Sequence, residues 1–381
     1  MKKIHILMTS DATSVSETFF RKTISDFEAK GNEVIVISGK KKGTRMNAIY
    51  SGFAEPSLMT KFWKLMVFMK EHHRTADFYD KVEWELRCRS SKRRLKRSLK
   101  GEVIEFLLIE YVDTAVRASE FLSGIDVPFG ICARGYDASM MLSSKAYCKT
   151  LRRLRPKFFL VVSQHLKRRL VLTGVDPNLL YVQPSDGQFS GVSNSKKDIN
   201  FISIGRFVEK KCPMALVYAM EIVVQEFPNA KLVMVGDGPL WSSIRRVINK
   251  KGLSKNIELL GALSHTKTLE LLNRCEVFIQ HSVTSGDGDQ EGFPTAISEA
   301  MLAGIPVIST IHSGITEAVV DGETGYLVQE HDFEKFGESM ITLLSSSAIR
   351  VRMGENAQER ARTVNPPGKR IKILYKLIQD E

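Results

Sequence analysis

The segment ISIGRFVEKK places a glycine and three cationic side chains directly after an apolar run that is typical of a buried strand. Arg206 offers a planar guanidinium and Lys211 a compact ammonium, and together these groups suit a diphosphate. Gly205 stands just before them, at the end of the strand-like run. In VMVGDGPL, Gly236 and Asp237 follow another strand-like run. A surface Arg/Lys pair and an ordinary turn are the alternative interpretations of these two segments.

Two glutamates flank the start of a predicted helix in SGDGDQEGFPTAISEAMLAG. Glu291 comes just before Gly-Phe-Pro at residues 292–294, so the free amides of the helix N-terminus lie beside it and favour an anion such as phosphate. Glu299 follows eight residues later, a little over two helical turns, so both carboxylates project from roughly one face. A helix cap for Glu291 and an exposed helix charge for Glu299 are the structural alternatives.

Other polar residues also follow strand-like runs. Arg134 and Asp137 come after such a run in ICARGYDAS, and TSDATSVSETF supplies the hydroxyls of Ser16 and Thr18 at the first strand-to-helix junction. His312 stands on a further loop of this kind, where a structural role is the simpler explanation. In open α/β sheets the carboxyl ends of the strands are where ligands bind. Because these polar residues all follow strand-like runs, we expect them to form one or more binding sites.

The elements that must position these residues form two series of alternating strands and helices. One begins at KIHILMTS and the other at INFISIG, after the Ser/Gly-rich stretch QPSDGQFSGVSNSKKD. Such alternation predicts parallel sheets covered by helices. We therefore expect an α/β fold with two Rossmann-like domains that face each other across a cleft. The expected parts are residues 1–190, with a basic helical insert at about 56–105, residues 191–365 and a final helix at 366–381.

Composition restricts the class of protein. The 381 residues are 43% hydrophobic and 26% charged, which excludes a disordered or fibrous chain. The longest apolar stretches are too short to span a membrane, and the apolar N-terminal run is interpreted as a first buried strand rather than a signal peptide. Five scattered cysteines without CxxC spacing indicate reduced thiols and argue against a structural zinc or disulfide framework.

The net charge of +12 is concentrated in the first half of the chain. Residues 1–190 carry +13 and the remainder −1, and the densest basic run is RCRSSKRRLKRSLK at residues 87–100. This asymmetry favours a polyanion or an anionic membrane surface as the partner of that half, with a solvated helix face as the simpler alternative. Nucleic acid is not expected, because the basic run has no aromatic interleaving and the chain has no zinc-finger spacing.

A resemblance to a known family rests on motifs that follow one another in sequence order: Gly205-Arg206 through Lys211, Glu291-(x7)-Glu299 and His312-Ser313-Gly314-Ile315. This series resembles the retaining glycosyltransferases of the large GT4 family, which have the GT-B fold. The SETF and GDGDQEGFP segments are most similar to the exopolysaccharide, colanic-acid-type branch. The resemblance covers most of residues 196–330 strongly, and residues 1–40 and 125–140 more loosely.

The resemblance implies that a hexose-type sugar is transferred from a nucleotide diphosphate sugar, with UDP as the first expected nucleotide and GDP as the second. Arg206 and Lys211 would hold the diphosphate and stabilise the leaving group, so no metal cofactor is expected. Glu291 would contact the sugar hydroxyls and Glu299 the ribose. The remaining donor contacts would come from Gly205, Gly236, Asp237, Gly292, Phe293, Pro294 and Thr295. Pro294 has no amide to donate.

On the acceptor side, the resemblance implies a lipid-linked or cell-surface polysaccharide intermediate. Ser16, Thr18 and Asp137 would lie on that side, and the final helix would cross back to the first domain. Together with the basic first half, this predicts a cytoplasmic protein held peripherally on the inner face of the cell membrane.

Two residues depart from the family's pattern. Arg134 stands where the family commonly has His, and a permanently charged Arg cannot act as a base, although it can bind phosphate or a sugar oxygen. Cys212 replaces the usual Gly after Lys211. The Arg134 change permits a non-catalytic nucleotide-sugar-binding protein as an alternative function. Another GT-B enzyme, such as a sugar-nucleotide epimerase or a phosphorylase, is a further alternative.

Overall fold

The computed structural model describes residues 3–8, 18–38, 48–50, 76–189 and 197–379. The chain forms two compact units, one of Met1–Gln183 with Ile371–Glu381 and the other of Pro184–Arg370. The units thus divide at residues 183 and 370, where the sequence suggested 190 and 365. Residues 56–75 of the expected basic insert lie outside the described residues.

The first unit is built on a parallel sheet with the strand order β3-β2-β1-β4-β5-β6-β7 in the described residues. Its strands are β1 Lys3–Met8, β2 Glu33–Ser38, β3 Ala48–Tyr50, β4 Phe106–Glu110, β5 Phe129–Ala133, β6 Phe158–Val161 and β7 Leu180–Val182. Every residue of β4, β5 and β6 is buried. This agrees with their continuous apolar sequences, because a parallel sheet is covered on both faces.

Helices connect these strands. They are α1 Thr18–Ala29, α2 Ala76–Ser98, α3 Val112–Arg117, α4 Ser119–Leu122, α5 Lys145–Leu151 and α6 Gln164–Leu172. Ser144 and Ser163 cap α5 and α6, since each side chain accepts a hydrogen bond from a first-turn amide. Gly31, two residues after the last residue of α1, adopts a φ of +79° and ends that helix as its sequence predicts.

The second unit contains a parallel sheet with the order β10-β9-β8-β11-β12-β13. Its strands are β8 Ile199–Ile204, β9 Leu232–Val235, β10 Ile257–Gly261, β11 Cys275–Ile279, β12 Val307–Thr310 and β13 Gly325–Val328. The helices are α7 Pro213–Glu226, α8 Trp241–Lys250, α9 His265–Asn273, α10 Thr295–Leu302, α11 Ile315–Ala318, α12 Phe333–Ser345 and α13 Ser347–Val364. The predicted α/β class with parallel sheets is confirmed.

The strand order creates a switch point in the second unit. The chain proceeds from β8 outward to β10 on one side and then returns to place β11 on the other side of β8. At such a point the connections diverge and leave a crevice beyond the carboxyl ends of the two central strands. Gly205 follows β8 and Gln280 follows β11, so the loops that carry these residues border that crevice.

A final helix, α14 Lys369–Gln379, packs in the core of the first unit. Ile371, Leu374, Leu377 and Ile378 lie in one apolar cluster with residues of the central strands and α1. The Tyr375 hydroxyl also accepts a hydrogen bond from the side-chain amide of Asn32. Throughout the described parts of the chain, no helix is both long and apolar enough to cross a membrane.

Candidate functional site

The loops after β8 and β9 are held together by glycine. The Gly205 amide donates a hydrogen bond of 2.9 Å to the carbonyl of Val235. A Cβ atom on Gly236, whose φ is +138°, would lie 1.9 Å from the carbonyl oxygen of Gly205. No residue with a side chain fits there, so glycine is required for the loops after β8 and β9 to come this close. Asp237 is exposed, and its carboxylate accepts a hydrogen bond of 2.7 Å from the amide of Gly238.

The two predicted diphosphate-binding cations differ in environment. Lys211 is partly buried, and its Nζ lies 3.2 Å from Gln280 Oε1 and 3.2 Å from Glu291 Oε1. Burial lowers the pKa of Lys211, although the Glu291 carboxylate opposes that shift. Arg206 is exposed, and its guanidinium forms no ion pair with a described residue. Arg206 is therefore available to a ligand, whereas the Lys211 ammonium is held in position by Gln280 and Glu291.

A short helical turn, Glu209–Lys211, fastens the acidic loop, which we define as residues 284–291. Glu209 Oε1 accepts a hydrogen bond of 2.8 Å from the Gly286 amide. The buried Lys210 ammonium lies 2.9 Å from an oxygen of Asp289. The two lysines of the turn thus neutralise carboxylates of the loop.

Among the described residues, no group of three or more His, Cys, Asp or Glu side chains is arranged to hold a metal ion.

Glu291 is buried, and its backbone is held on both sides. Its amide donates a 3.0 Å hydrogen bond to His312 Nε2, and its carbonyl accepts one from the Ser313 hydroxyl. Burial raises the pKa of Glu291, but the positive charges of Lys211 and Lys210 outweigh this effect and hold the pKa below its ordinary value. The carboxylate does not cap α10, which has no side-chain cap, so the capping interpretation is wrong.

The segment that leads into α10 presents free amide groups. Gly292, Phe293 and Pro294 are buried, and α10 begins at Thr295. The amides of Gly292, Phe293 and Thr295 have no acceptor among the described residues. Unpaired amides at a helix N-terminus attract an anion or an oxygen-rich ligand.

Glu299 lies on α10 and is only 5% exposed, so its interpretation as an exposed helix charge is wrong. Its Oε1 is 2.9 Å from Nε2 of His265, the first residue of α9. The hydrogen bond with Glu299 raises the pKa of His265 above its ordinary value. His265 was not predicted, because nothing in the spacing connects a single histidine to a glutamate 34 residues later.

In the first unit, the side chains of Arg134 and Asp137 both form hydrogen bonds with other residues of that unit. Arg134 follows β5 and binds Glu110, the last residue of β4, through its Nε and Nη2, at 3.1 and 2.9 Å from Oε2. The Asp137 carboxylate accepts hydrogen bonds of 2.8 Å from the amides of Val112 and Gly135. Burial raises the pKa of Asp137 to about 6. Glu110 was not predicted, because it ends an apolar run that reads simply as a strand.

The acceptor-side roles of Ser16, Thr18 and Asp137 stay predictions. Thr18 is the first residue of α1, and Ser16 lies outside the described residues.

Comparisons with known proteins support the sequence resemblance. Residues 187–360 match the family model of glycosyl transferases group 1. The chain is 37% identical over 134 residues to the putative colanic acid biosynthesis glycosyltransferase WcaL of Salmonella typhimurium, which is 35% of this chain and 33% of WcaL. It is 29% identical over 150 residues to the amylovoran biosynthesis glycosyltransferase AmsK of Erwinia amylovora, which is 39% of this chain and 37% of AmsK. The chain thus spans about a third of the length of these curated relatives.

A solved structure supports the fold of the whole chain. The structure of the S. aureus TarM G117R mutant in complex with fondaparinux, alpha-GlcNAc-glycerol and UDP matches with a TM-score of 0.75. The match covers 100% of both chains at 13% sequence identity. From these matches, the second unit carries a glycosyl transferases group 1 domain, and the chain has the GT-B fold.

Proposed function

We propose that this protein is a retaining glycosyltransferase that moves a hexose-type sugar from a UDP-sugar to a polysaccharide intermediate. One observation carries the proposal: cations, a buried carboxylate and free amides meet at the switch point of the second unit. Arg206 and Lys211 supply the cations. Glu291 supplies the carboxylate beside the free amides of Gly292, Phe293 and Thr295. This combination suits a ligand with a diphosphate at one end and hydroxyls at the other.

The leaving group explains the two cations. As the bond between sugar and diphosphate breaks, negative charge accumulates on the departing phosphate oxygens. Charges that are already in position stabilise that state most effectively. Lys211 meets this condition, because Gln280 and Glu291 fix its ammonium. We therefore propose turnover without a metal ion, tested by equal rates with and without a chelator.

Glu291 and Glu299 have different parts in this proposal. Glu291 is ionised beside the free amides and would accept hydrogen bonds from the sugar hydroxyls. Glu299 would bind the ribose with its second oxygen, because Oε1 is directed to His265. The family resemblance supports these roles and the retention of anomeric configuration.

The choice of UDP and of a polysaccharide acceptor draws on the comparisons. The TarM structure of similar fold holds UDP, and the curated relatives WcaL and AmsK are named for colanic acid and amylovoran biosynthesis. Incubation with UDP-, GDP- and ADP-sugars and bacterial lipid extracts tests the proposal, with release of nucleoside diphosphate as the readout. Release from a UDP-sugar that depends on the extract supports it. Binding without release would favour the non-catalytic alternative, and conversion of the sugar itself would favour an epimerase.

A cationic face of α2 supports a peripheral location on the inner, cytoplasmic face of the membrane. The face that packs on the first unit contains Cys88, Ser91 and Leu95, all buried. The outward face carries exposed cations at Arg89, Arg93, Lys96 and Arg97. Glu120 approaches Arg89 and Lys92 no closer than 4.0 and 3.9 Å, so it compensates this charge weakly. We propose that the face binds anionic lipid or the phosphates of a lipid-linked acceptor.

Co-sedimentation with liposomes tests this location. The triple variant Arg93→Ala/Lys96→Ala/Arg97→Ala should lose binding to anionic vesicles. The matched control Arg245→Ala/Arg246→Ala/Lys255→Ala removes the same charge from exposed positions of the second unit and should keep it. Binding that ignores lipid charge and salt would contradict the proposal.

A further inference from the structure

Two side chains that the proposed function does not use hold the ends of the acidic loop. Glu330 follows β13, and its Oε2 accepts a hydrogen bond of 2.8 Å from the amide of Thr284, where the loop begins. Its Oε1 lies 2.6 Å from His312 Nδ1. His312 Nε2 in turn accepts the hydrogen bond from the amide of Glu291, where the loop ends. One carboxylate and one imidazole therefore connect both ends.

The hydrogen bonds determine the protonation state of His312. A backbone amide can only donate, so Nε2 must be an unprotonated acceptor. The ring proton must then be on Nδ1, from which it is donated to Glu330. His312 is 2% exposed, so water does not compete for these positions. The ring is therefore the neutral Nδ1–H tautomer.

Glu330 is suited to this role because it is ionised. Burial raises its pKa, but the Thr284 amide and His312 outweigh that effect and hold the pKa below its ordinary value. An ionised carboxylate accepts hydrogen bonds at both oxygens, whereas a side-chain amide can accept at only one. A glutamine at this position would therefore fail either the Thr284 amide or the His312 Nδ1–H group.

We propose that Glu330 and His312 are a pair of positioning residues that fix the acidic loop at both ends and thereby hold Glu291 in the donor site. The inference rests on the proposed function for the role of Glu291, and it adds how that residue is placed. The middle of the loop is held separately by Glu209 and Lys210, so the pair acts at the two ends, one of which carries Glu291.

The first test needs no nucleotide. In protein labelled with ¹⁵N-histidine, NMR should show the His312 ring as the neutral Nδ1–H tautomer, with the resonance assigned from the His312→Asn variant. In Glu330→Gln, hydrogen exchange at the Thr284 or the Glu291 amide should accelerate at least about 10-fold, because one of them loses its acceptor. An Nε2–H tautomer in the wild type, or unchanged exchange in the variant, would overturn the proposal.

The second test separates positioning from general damage, with UDP and UDP-glucose as probes. Glu330→Gln and His312→Asn should each slow hydrolysis of UDP-glucose about 10-fold while changing the Kd of UDP less than about 3-fold, because UDP lacks the sugar that Glu291 contacts. His312→Gln is the matched variant: its amide reaches the place of Nε2 and can accept from Glu291, so it should retain most activity.

The double variant Glu330→Gln/His312→Asn completes the test. Since both residues act through the same loop on the placement of Glu291, the double variant should be little slower than the slower single one. If the activity losses of the two single variants multiply to about 100-fold in the double variant, the proposal that the residues act as a pair is contradicted. Absence of UDP binding in the wild type would instead refute the proposed function, and the tautomer and exchange results would still decide whether the pair holds the loop.

Discussion

The Nζ atom of Lys211 lies 3.2 Å from Oε1 of Glu291, although the two residues are 80 positions apart in the chain. The contact joins the turn after β8 to the segment before α10. Only 16% of the Lys211 side chain and 8% of the Glu291 side chain are exposed. The cation that we propose for the leaving group and the carboxylate that we propose for the sugar are thus positioned by each other.

Loss of Lys211 should therefore reduce stability through Glu291. In Lys211→Met, the carboxylate is left buried without its main partner, which should cost about 3–5 kcal/mol of unfolding free energy. The double variant Lys211→Met/Glu291→Gln removes the charge as well and should recover part of the loss. Urea unfolding monitored by circular dichroism measures both. A double variant less stable than Lys211→Met would show that the carboxylate is not the source of the cost.

The His265–Glu299 pair should make stability depend on pH. Its hydrogen bond to Glu299 raises the pKa of His265 in the folded protein above the ordinary value of 6.5. The stabilisation is therefore fully present below pH 6.5 and is lost as pH rises through the higher folded value. Unfolding from pH 6 to 9 should show a decline in the wild type that is smaller in His265→Gln. Parallel curves for the two proteins would contradict this pairing.

Cys212 should be a site where glycine stabilises the protein. It adopts φ 37° and ψ 54°, the left-handed region, at the end of the Glu209–Lys211 turn. A side chain in this conformation costs about 1–2 kcal/mol. Glycine avoids that cost, but it loses more conformational freedom on folding, which offsets about 0.5–1 kcal/mol of the gain. Cys212→Gly should thus unfold at a higher temperature than the matched Cys212→Ala. The reverse order would contradict the proposed backbone strain at this position.

Much of this site could be predicted from the sequence because the residues follow strands. Gly205, Arg206 and Lys211 come after β8, and Glu291 precedes a helix with a glycine-rich entry, so the general rule for open α/β sheets brings them to one edge. What the rule does not give is their partners. Lys211 meets Glu291 because the sheet order places β11 beside β8, and that order is not written in either segment.

Arg134 shows the same limit in the first unit. Its position after β5 was predictable, and a substrate role followed from the family resemblance. Its partner Glu110 ends β4, and the register of the two strands pairs Glu110 with Cys132, two residues before Arg134. The resulting ion pair depends on strand pairing across 24 residues. His265 and Glu330 were missed for the same reason, because side chains from separate loops become partners only in the folded sheet.

Calorimetric titration of UDP in the presence of a chelator tests the donor site most directly, in the wild type, in Arg206→Ala and in Arg246→Ala. Arg206 is exposed without a partner in the described structure, and Arg246 is a matched exposed arginine on α8. The wild type and Arg246→Ala should bind UDP equally, and Arg206→Ala should bind at least about 10-fold more weakly, since a charge-assisted contact to phosphate is lost. A wild type that does not bind UDP, or an Arg206→Ala variant that binds it as tightly as the wild type, would contradict a diphosphate site at the end of β8.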